Sequence, residues 1–300
     1  MTWLNARRPE IEKMNRTRYF SDDWLGIEWS DWVNLDPSAG YISELPTGEG
    51  LYRVRHLDRD GLTYIGETGR SVRGRVRSLA RGTYNDEMPY RDPHTAAPCM
   101  WAIRDQDGPA LEVSVAVPDE ATGKQQRKAI EDALIALYRR GAGESPTANF
   151  GRIIPGYRQS SYRSDGLTGG PLPEGETEAN AAPGVGPLPW TDADSPTTED
   201  WMGVDWTSPC PLTEADSSIP DSDGLYRIWH RGEEAPLEYV GQSSNLRSRL
   251  YRHRRNRGES LLFSYSTLLE HDALHMREEV ETDLLGAHWL ACRESPRDQY

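Results

Sequence analysis

The sequence predicts an α+β protein made of two copies of one folding plan, joined by a linker. Three observations predict this class. A hairpin-and-helix pattern at 50–75 recurs at 224–249, a later stretch at 127–150 matches 277–300, and the chain between the copies is rich in glycine, proline and acids. Self-similarity at long spacing indicates two related domains rather than one large one.

The first copy opens with a predicted β-hairpin. Tyr52 and Val54 lie in a run rich in β-branched and aromatic residues, and residues 62–65 resume that run. Asp60 and Gly61 between them form a turn sequence. We therefore expect two antiparallel strands here.

A basic helix is expected next. Val72, Val76 and Leu79 recur at helical spacing, and Ser71 before them is a suitable N-cap. Residues 69–81 contain five arginines and no acid. The helix should therefore combine an apolar face with a strongly basic one.

The remainder of the first copy predicts two further helices and a strand. Residues 84–101 are rich in turn formers and lead into a short helix through about Ile103. Alternation over 111–117 predicts a half-buried strand, and apolar residues at helical spacing predict a helix over 124–140. Gly141 and Gly143 are expected to end that helix.

Tryptophan-rich segments precede both hairpins. Residues 23–29 match 200–206, so the repeated unit begins before the first strand. Large aromatic side chains at matched places are typical of packing anchors. We interpret them as a cover for one face of each sheet.

The spacing between equivalent residues locates an insertion. It is 174 at the hairpin (50 and 224) and 150 at the later helix (127 and 277). The first copy therefore holds about 24 extra residues, which we place around 84–101. The predicted domains are an N-terminal arm over 1–19, a first domain over 20–163, a linker over 164–199 and a second domain over 200–300.

The linker has the composition of a disordered segment. Residues 167–199 contain five glycines, six prolines and six acids, with no lysine or arginine. Such a segment buries too little apolar surface to offset the entropy of ordering. A flexible chain of this length spans roughly 30 Å, which would let the two domains act together on one duplex.

Composition excludes several classes of protein. No apolar run among the 300 residues is long enough for a membrane span, and the N-terminus lacks the pattern of a signal peptide. We expect a soluble, cytoplasmic protein with no membrane partner. Cys99, Cys210 and Cys292 form no CxxC pair, which argues against disulfides or a zinc ribbon.

Net charge is −14, which at first argues against a nucleic-acid partner. The basic residues are concentrated, however. The stretch 245–257 holds six arginines and no acid, as 69–81 holds five. Both predicted post-hairpin helices could therefore face a polyanion.

The joint pattern in the first copy is more specific than any of its residues. Gly50, Leu51 and Tyr52 are followed, after eleven residues, by Tyr64, Ile65 and Gly66. An arginine, a glutamate and an asparagine come later in the order Arg75, Glu131, Asn149. This order resembles the GIY-YIG nuclease family, and the resemblance covers residues 50 to about 162.

The second copy matches the same pattern with departures. Tyr226, Tyr239, Arg249 and Glu281 stand at the equivalent positions, with twelve residues between the tyrosines. Gln299 replaces the asparagine, and the second copy has no counterpart of 151–154. A fully active, a weakened and an inactive second site all stay open.

The resemblance implies a small three-stranded antiparallel sheet flanked by helices in each unit. It also implies phosphodiester hydrolysis with one divalent ion, Mg²⁺ or Mn²⁺, held by Glu131 and by Glu281. The implied catalytic side chains are Tyr52, Tyr64, Arg75, Tyr226, Tyr239 and Arg249, with Asn149 in support and Arg73 as a second choice for the helix arginine. The arginines expected on the nucleic-acid backbone are Arg70, Arg73, Arg77, Arg81, Arg252, Arg254, Arg255 and Arg257.

The chemistry of the implied site is consistent with these residue types. One carboxylate can hold Mg²⁺ and leave several waters on the ion. Arginine is permanently charged and can contact two phosphate oxygens at once. A tyrosine has a pKa of about 10, so its use as a base requires a nearby cation to favour the phenolate.

Three functions follow as hypotheses. The first is a metal-dependent endonuclease on duplex or branched DNA, with two domains that pair as a single-chain pseudo-dimer. The second is a non-catalytic nucleic-acid-binding protein of the same fold, and the third is a protein-interaction module that uses the tryptophan-rich segments. Sequence preference, oligomeric state and a role in repair, restriction or defence stay open.

Overall fold

A computed structural model describes residues 18–257, 260–268 and 273–300. The protein is α+β, as the sequence predicts. Residues 1–17, most of the expected N-terminal arm, lie outside the described residues. Of the two arm residues that are described, Arg18 and Tyr19, the second is buried. No helix among the described residues is long and apolar enough to cross a membrane.

The chain divides into two compact units that do not follow the predicted domain boundaries. The first comprises Met1–Arg127 and Gly141–Pro183, and the second comprises Lys128–Arg140 and Gly184–Tyr300. The central part of the long helix of the first copy therefore belongs to the second unit. The expected linker is also divided, its first half in the first unit and its second half in the second unit.

The first unit is built on a four-stranded antiparallel sheet. Its strands are β1 (Val33–Asn34), β2 (Gly50–His56), β3 (Tyr64–Thr68) and β4 (Leu111–Ala116), in the spatial order β1-β4-β2-β3. The three longer strands are those that alternation predicts. The expectation of three strands misses β1, because two residues are too short to show a period.

Three helices accompany this sheet in the chain. They are α1 (Val72–Thr83), α2 (Ala97–Asp107) and α3 (Lys124–Ala142). The Ser71 hydroxyl caps α1 by accepting a hydrogen bond from Gly74 N at 3.1 Å. Val72, Val76 and Leu79 are fully buried, so the predicted apolar face of α1 is confirmed.

The predicted linker is not a bare spacer. Short strands β5 (Tyr157–Arg158) and β6 (Gly170–Pro171) pair with each other in the first unit. In the second unit, Val185 N donates to Glu279 at 2.7 Å and Leu188 N donates to Asp283 at 3.0 Å. The predicted disorder is not confirmed, since backbone groups in this stretch find partners despite its composition.

The second unit repeats the sheet order of the first. Strands β7 (Cys210–Pro211), β8 (Gly224–His230), β9 (Tyr239–Ser243) and β10 (Leu261–Thr267) lie in the order β7-β10-β8-β9, all antiparallel. Two helices follow β9 and β10: α4 (Leu246–Asn256) and α5 (Leu274–Cys292). The internal duplication therefore holds at the level of topology.

A buried arginine lies on the tryptophan-covered face of each sheet. In the first unit the guanidinium of Arg53 stacks 4.3 Å from the ring of Trp29, and in the second that of Arg227 stacks 4.4 Å from the ring of Trp206. Both arginines are fully buried, and burial lowers the pKa of each to about 9. The tryptophans are packing anchors, as expected, and they also shield a cation.

Candidate functional site

Strand register brings the two tyrosine motifs together in each unit. Tyr52 on β2 is paired across the sheet with Gly66 on β3, and Tyr226 on β8 is paired with Gly241 on β9. A Cβ atom on Gly66 would lie 2.7 Å from the Tyr52 hydroxyl and 2.6 Å from the Tyr64 ring. The glycine of the second motif is therefore required for the two rings to meet.

In the first unit an arginine joins the tyrosine pair. The Tyr52 and Tyr64 rings are 5.8 Å apart, and Arg75 on α1 hydrogen-bonds Tyr52. Burial works to lower the pKa of Arg75, but the phenols of Tyr52 and Tyr64 outweigh it and the pKa is raised. Arg75 Nη1 also donates to Pro93 O at 2.7 Å. The guanidinium is therefore a fixed positive charge beside the phenol.

His94 completes this cluster, and sequence reasoning missed it. Its Nε2 lies 2.8 Å from the Tyr52 hydroxyl, and its ring lies 5.6 Å from that of Tyr64. Burial and then the charge of Arg75 hold the pKa of His94 well below its usual value, so the ring is neutral at neutral pH. The residue lies in the insertion, where no periodicity marks which side chains point inward.

Two buried nitrogens of this cluster have no hydrogen-bond partner among the described residues. They are Nδ1 of His94 and Nε of Arg75. Buried polar atoms are nearly always satisfied, because an unpaired one loses its hydration without compensation. The two atoms are therefore candidates to contact a ligand of the site.

The second unit forms the same cluster from its own residues. The Tyr226 and Tyr239 rings stack 5.8 Å apart, and Arg249 Nε on α4 donates to the Tyr226 hydroxyl oxygen at 2.9 Å. His253 Nε2 lies 3.1 Å from the same oxygen. An imidazole therefore joins the tyrosine pair here as well.

The tautomer of His253 follows from its other nitrogen. Arg257 Nε donates to His253 Nδ1 at 3.1 Å, so Nδ1 is an acceptor. In the neutral ring the proton then lies on Nε2, which donates to Tyr226. Burial, then the nearby arginines, lower the pKa of His253 to about 4, which keeps the ring neutral. Two N–H donors thus face the Tyr226 oxygen.

Glu281 on α5 is electrostatically coupled to the second cluster. Burial, followed by the carboxylate of Asp132, raises the pKa of Glu281 to about 8, and Arg249 partly opposes this rise. Burial also raises the pKa of Tyr226 above its usual value of 10, against the effect of Arg249. At neutral pH both groups are therefore largely protonated. The second unit thus brings together all four of its predicted site residues.

Glu131 is placed differently from the other predicted residues of the first copy. It lies in the part of α3 that belongs to the second unit, where its charge acts on the phenol of Tyr300. The Tyr300 hydroxyl donates a hydrogen bond to Asp132, which follows Glu131 in the chain. The contacts described within the first unit join Tyr52, Tyr64, Arg75 and His94.

The asparagine and its replacement both hold the second tyrosine strand. Asn149 accepts from Ile65 N at 3.0 Å and donates to Ile65 O at 2.9 Å. Gln299 accepts from Val240 N at 3.0 Å. The substitution in the second copy therefore keeps the amide contact to the equivalent residue of β9.

The predicted backbone-contacting arginines fall into two groups. Three make contacts within the protein: Arg73 donates to Leu45 O, Arg254 donates to Ala215 O at 2.9 Å, and Arg257 pairs with Glu238 and Asp298. The side chain of Arg257 is largely buried, and its Nε also donates to His253. The exposed arginines are Arg70, Arg77, Arg81, Arg252, Arg254 and Arg255, so Arg254 belongs to both groups.

Within the described ranges, no group of three or more His, Cys, Asp or Glu is arranged to hold a metal ion. The three cysteines are free thiols.

Comparison of the chain with protein-family models, curated proteins and solved structures finds no match. The fold and the site define an α+β protein with two four-stranded antiparallel units, each carrying a Tyr–Tyr–Arg–His cluster.

Proposed function

We propose that the protein is a GIY-YIG-type endonuclease that hydrolyses DNA phosphodiester bonds with a divalent metal ion. One observation carries the proposal. In both units an arginine and a histidine converge on the hydroxyl of the central-strand tyrosine, beside a second tyrosine. Packing alone does not require two separately assembled clusters to contain the same four residue types.

The side chains of each cluster suit phosphodiester hydrolysis. Tyr52 or Tyr226 would take a proton from the attacking water, while Arg75 or Arg249 favours the phenolate and binds a phosphate oxygen. The second tyrosine of each pair would orient the water. A proton on a tyrosine hydroxyl can pass to an adjacent neutral imidazole. His94 could accept such a proton from Tyr52 at Nε2 when the proton of its own neutral ring lies on Nδ1.

The donor set is compatible with magnesium or manganese. Mg²⁺ is commonly bound by one or two carboxylates and keeps several waters, so Glu281 would suffice in the second unit, with Asp132 nearby. Glu131 is the equivalent ligand of the first copy. Such an ion neutralises charge on the phosphoryl oxygens and lowers the pKa of bound water. Binding at Glu281 requires loss of the proton that burial favours there.

DNA is the proposed substrate because exposed arginines follow each cluster in the chain. Arg77 and Arg81 lie on α1 after Arg75, and Arg252 and Arg255 lie on α4 after Arg249. Contacts of this kind set the position of a duplex or branched DNA without reading its bases. Pairing of the two copies on one DNA molecule is part of this proposal.

A second candidate function is nucleic-acid binding without cleavage. It is favoured by the raised pKa values of Tyr226 and Glu281, which leave the second cluster with a neutral phenol and a neutral carboxyl at neutral pH. Neutral groups can hydrogen-bond a phosphate but cannot serve as base and metal ligand.

Plasmid cleavage separates the two candidates. We expect the wild-type chain with Mg²⁺ or Mn²⁺ to nick supercoiled plasmid. Tyr52→Phe and Tyr226→Phe each remove one hydroxyl and should slow cutting by their unit about 10²- to 10⁴-fold, as loss of a general base does. Tyr41→Phe is the matched control, because Tyr41 is half exposed and outside both clusters.

The glutamates are tested in the same assay. Glu131→Ala, Glu281→Ala and the double variant should report which copy cuts, and the double variant should still bind plasmid. A wild-type chain that binds plasmid but never nicks it, at any salt or metal concentration, would overturn the enzyme proposal and support the binding protein.

A further inference from the structure

A cavity of about 420 Å³ lies in the first unit. It is formed by the C-terminal half of α1, the insertion that follows and the stretch around residue 163. The polar and aromatic residues that line it include Arg81, Asn85, Glu87, Tyr90, Asp92 and Arg163. Its volume falls within the range of about 300–1,000 Å³ that is typical of small-molecule sites.

The cavity adjoins the tyrosine cluster of the same unit. Pro93 lines the cavity, and its carbonyl oxygen accepts a hydrogen bond from Arg75 at 2.7 Å. The next residue is His94, whose ring contacts Tyr52. Consecutive Cα atoms are only about 3.8 Å apart, so the residue that carries the imidazole directly follows one that lines the cavity.

The charges of the lining favour a neutral polar ligand over a simple anion. Arg81 and Arg163 are balanced by Glu87 and Asp92, and Asp92 accepts a hydrogen bond from Arg163 N at 2.7 Å. A phosphate alone would be repelled by these two carboxylates. Groups that carry N–H donors, by contrast, would be bound by them.

The aromatic residue adds a flat surface. Tyr90 is half-buried in the wall, and the Arg163 guanidinium lies 5.3 Å from the centre of its ring. A planar ligand with N–H and C=O groups along its edge matches both features of the lining. Nucleobases have this shape and these edges, and proteins bind unpaired bases by stacking and edge hydrogen bonds.

We propose that this cavity holds one unpaired nucleobase of the DNA strand whose phosphate lies at the Tyr52 cluster. This inference rests on the proposed nuclease function and specifies its substrate: a strand with a base that is unpaired or extruded. Tyr90 stacks on the base, Glu87 and Asp92 accept hydrogen bonds from its amino or imino groups, and Arg81 at the rim contacts the backbone. The second copy lacks the insertion, so base selection belongs to the first unit.

Binding of defined DNA strands tests the proposal. The full chain is titrated, with Ca²⁺ in place of Mg²⁺, against a single strand containing all four bases and against versions with one abasic site at successive positions. Tyr90→Leu, which keeps bulk but removes the ring, should raise Kd about 5- to 150-fold, the range expected for loss of one stacked base. Tyr90→Phe keeps the ring and should bind like the wild type.

The abasic series identifies the stacked base. An abasic site at one position should raise the wild-type Kd and abolish the difference between wild type and Tyr90→Leu. Asn85→Ala changes a second residue of the cavity lining, at an exposed position. Tyr41→Leu is the control, because Tyr41 is an exposed tyrosine elsewhere in the unit. Equal Kd values for wild type and Tyr90→Leu, or a defect that persists on every abasic strand, would reject the subsite.

Three further outcomes are decisive. Tight, Tyr90-dependent binding of free mononucleotides without any abasic effect would assign the cavity to a free nucleotide and overturn the strand proposal. If the wild type cuts plasmid and the Tyr90→Leu variant binds DNA strands as tightly as the wild type, the subsite is rejected but the nuclease proposal stands. If the wild type never cuts plasmid but its binding depends on the stacked base, the subsite stands and the nuclease proposal is rejected.

Discussion

Asn149 and Gln299 show how single side chains hold the second tyrosine in place. Ile65, next to Tyr64, is fully buried, and Asn149 contacts both its N–H and its C=O groups. An asparagine in this position extends the hydrogen bonding of an edge strand. Gln299 makes the equivalent contact to the N–H of Val240.

Removal of these amides should have unequal effects. Asn149→Ala leaves two backbone groups unpaired and should reduce the free energy of unfolding by about 2–5 kcal/mol, while Gln299→Ala should cost about 1–3 kcal/mol. Chemical denaturation measures both, and hydrogen exchange of peptides covering β3 and β9 localises them. Asn256→Ala, at an exposed position, is the control. Equal losses at 149 and 299 would contradict the difference in bonding.

At the level of elements, the two units bring an imidazole to the same phenol by different routes. Arg249 and His253 are four residues apart on α4, so they share one face of that helix. Four residues after Arg75 stands Leu79, which is buried in the core. The first unit supplies its histidine from the insertion instead, which makes that insertion part of the cluster.

Helix α5 contains a histidine that makes the stability of the second unit depend on pH. His288 is fully buried, accepts from Leu237 N at 2.9 Å through Nε2, and donates through Nδ1 to Glu294 O at 3.1 Å. The bond from Leu237 N requires the neutral ring, because a protonated Nε2 cannot accept a hydrogen bond. Burial lowers its pKa from 6.5 to about 4.

The sign of the pH effect follows from this lowered pKa. Between pH 6.5 and 4 the unfolded chain binds a proton that the folded chain does not, so stability falls as pH falls, by about 3 kcal/mol for this group. His288→Gln should be less stable than the wild type at pH 7 but should lose less on acidification. The measurement is the free energy of unfolding at pH 7, 5.5 and 4. Parallel pH curves for the two proteins would show that His288 does not carry the effect.

Local patterns predict the elements, but not the side chains that are brought together across them. Alternation and helical spacing predict β2, β3, β4, α1 and α3, because each signal lies within one segment. The resemblance to the GIY-YIG family likewise implies that Tyr52 and Tyr64 share one site. His94, the support of His253 by Arg257 and the placement of Glu131 depend on tertiary packing. They leave no period or motif in the sequence.

At the scale of the whole molecule, the net charge of −14 opposes association with DNA except where basic side chains are grouped. Exposed arginines on α1 and α4 provide two such groups. Each phosphate contact releases counterions, so affinity should fall steeply with salt concentration. The number of contacts can therefore be counted from the salt dependence of Kd.

Pairs of substitutions should reveal whether DNA is bound by the arginines at the start of α1 and by those on α4. Arg70→Gln with Arg77→Gln in the first unit, and Arg252→Gln with Arg255→Gln in the second, should each lower the slope of log K against log salt by about 2 on duplex DNA, close to one per lost contact. Arg231→Gln, at an exposed position outside both helices, should leave the slope unchanged. Because glutamine keeps a polar surface, folding should be unaffected. A slope that changes with the first pair alone would restrict DNA binding to the first unit, and a slope that changes with neither would exclude both helices from the interface.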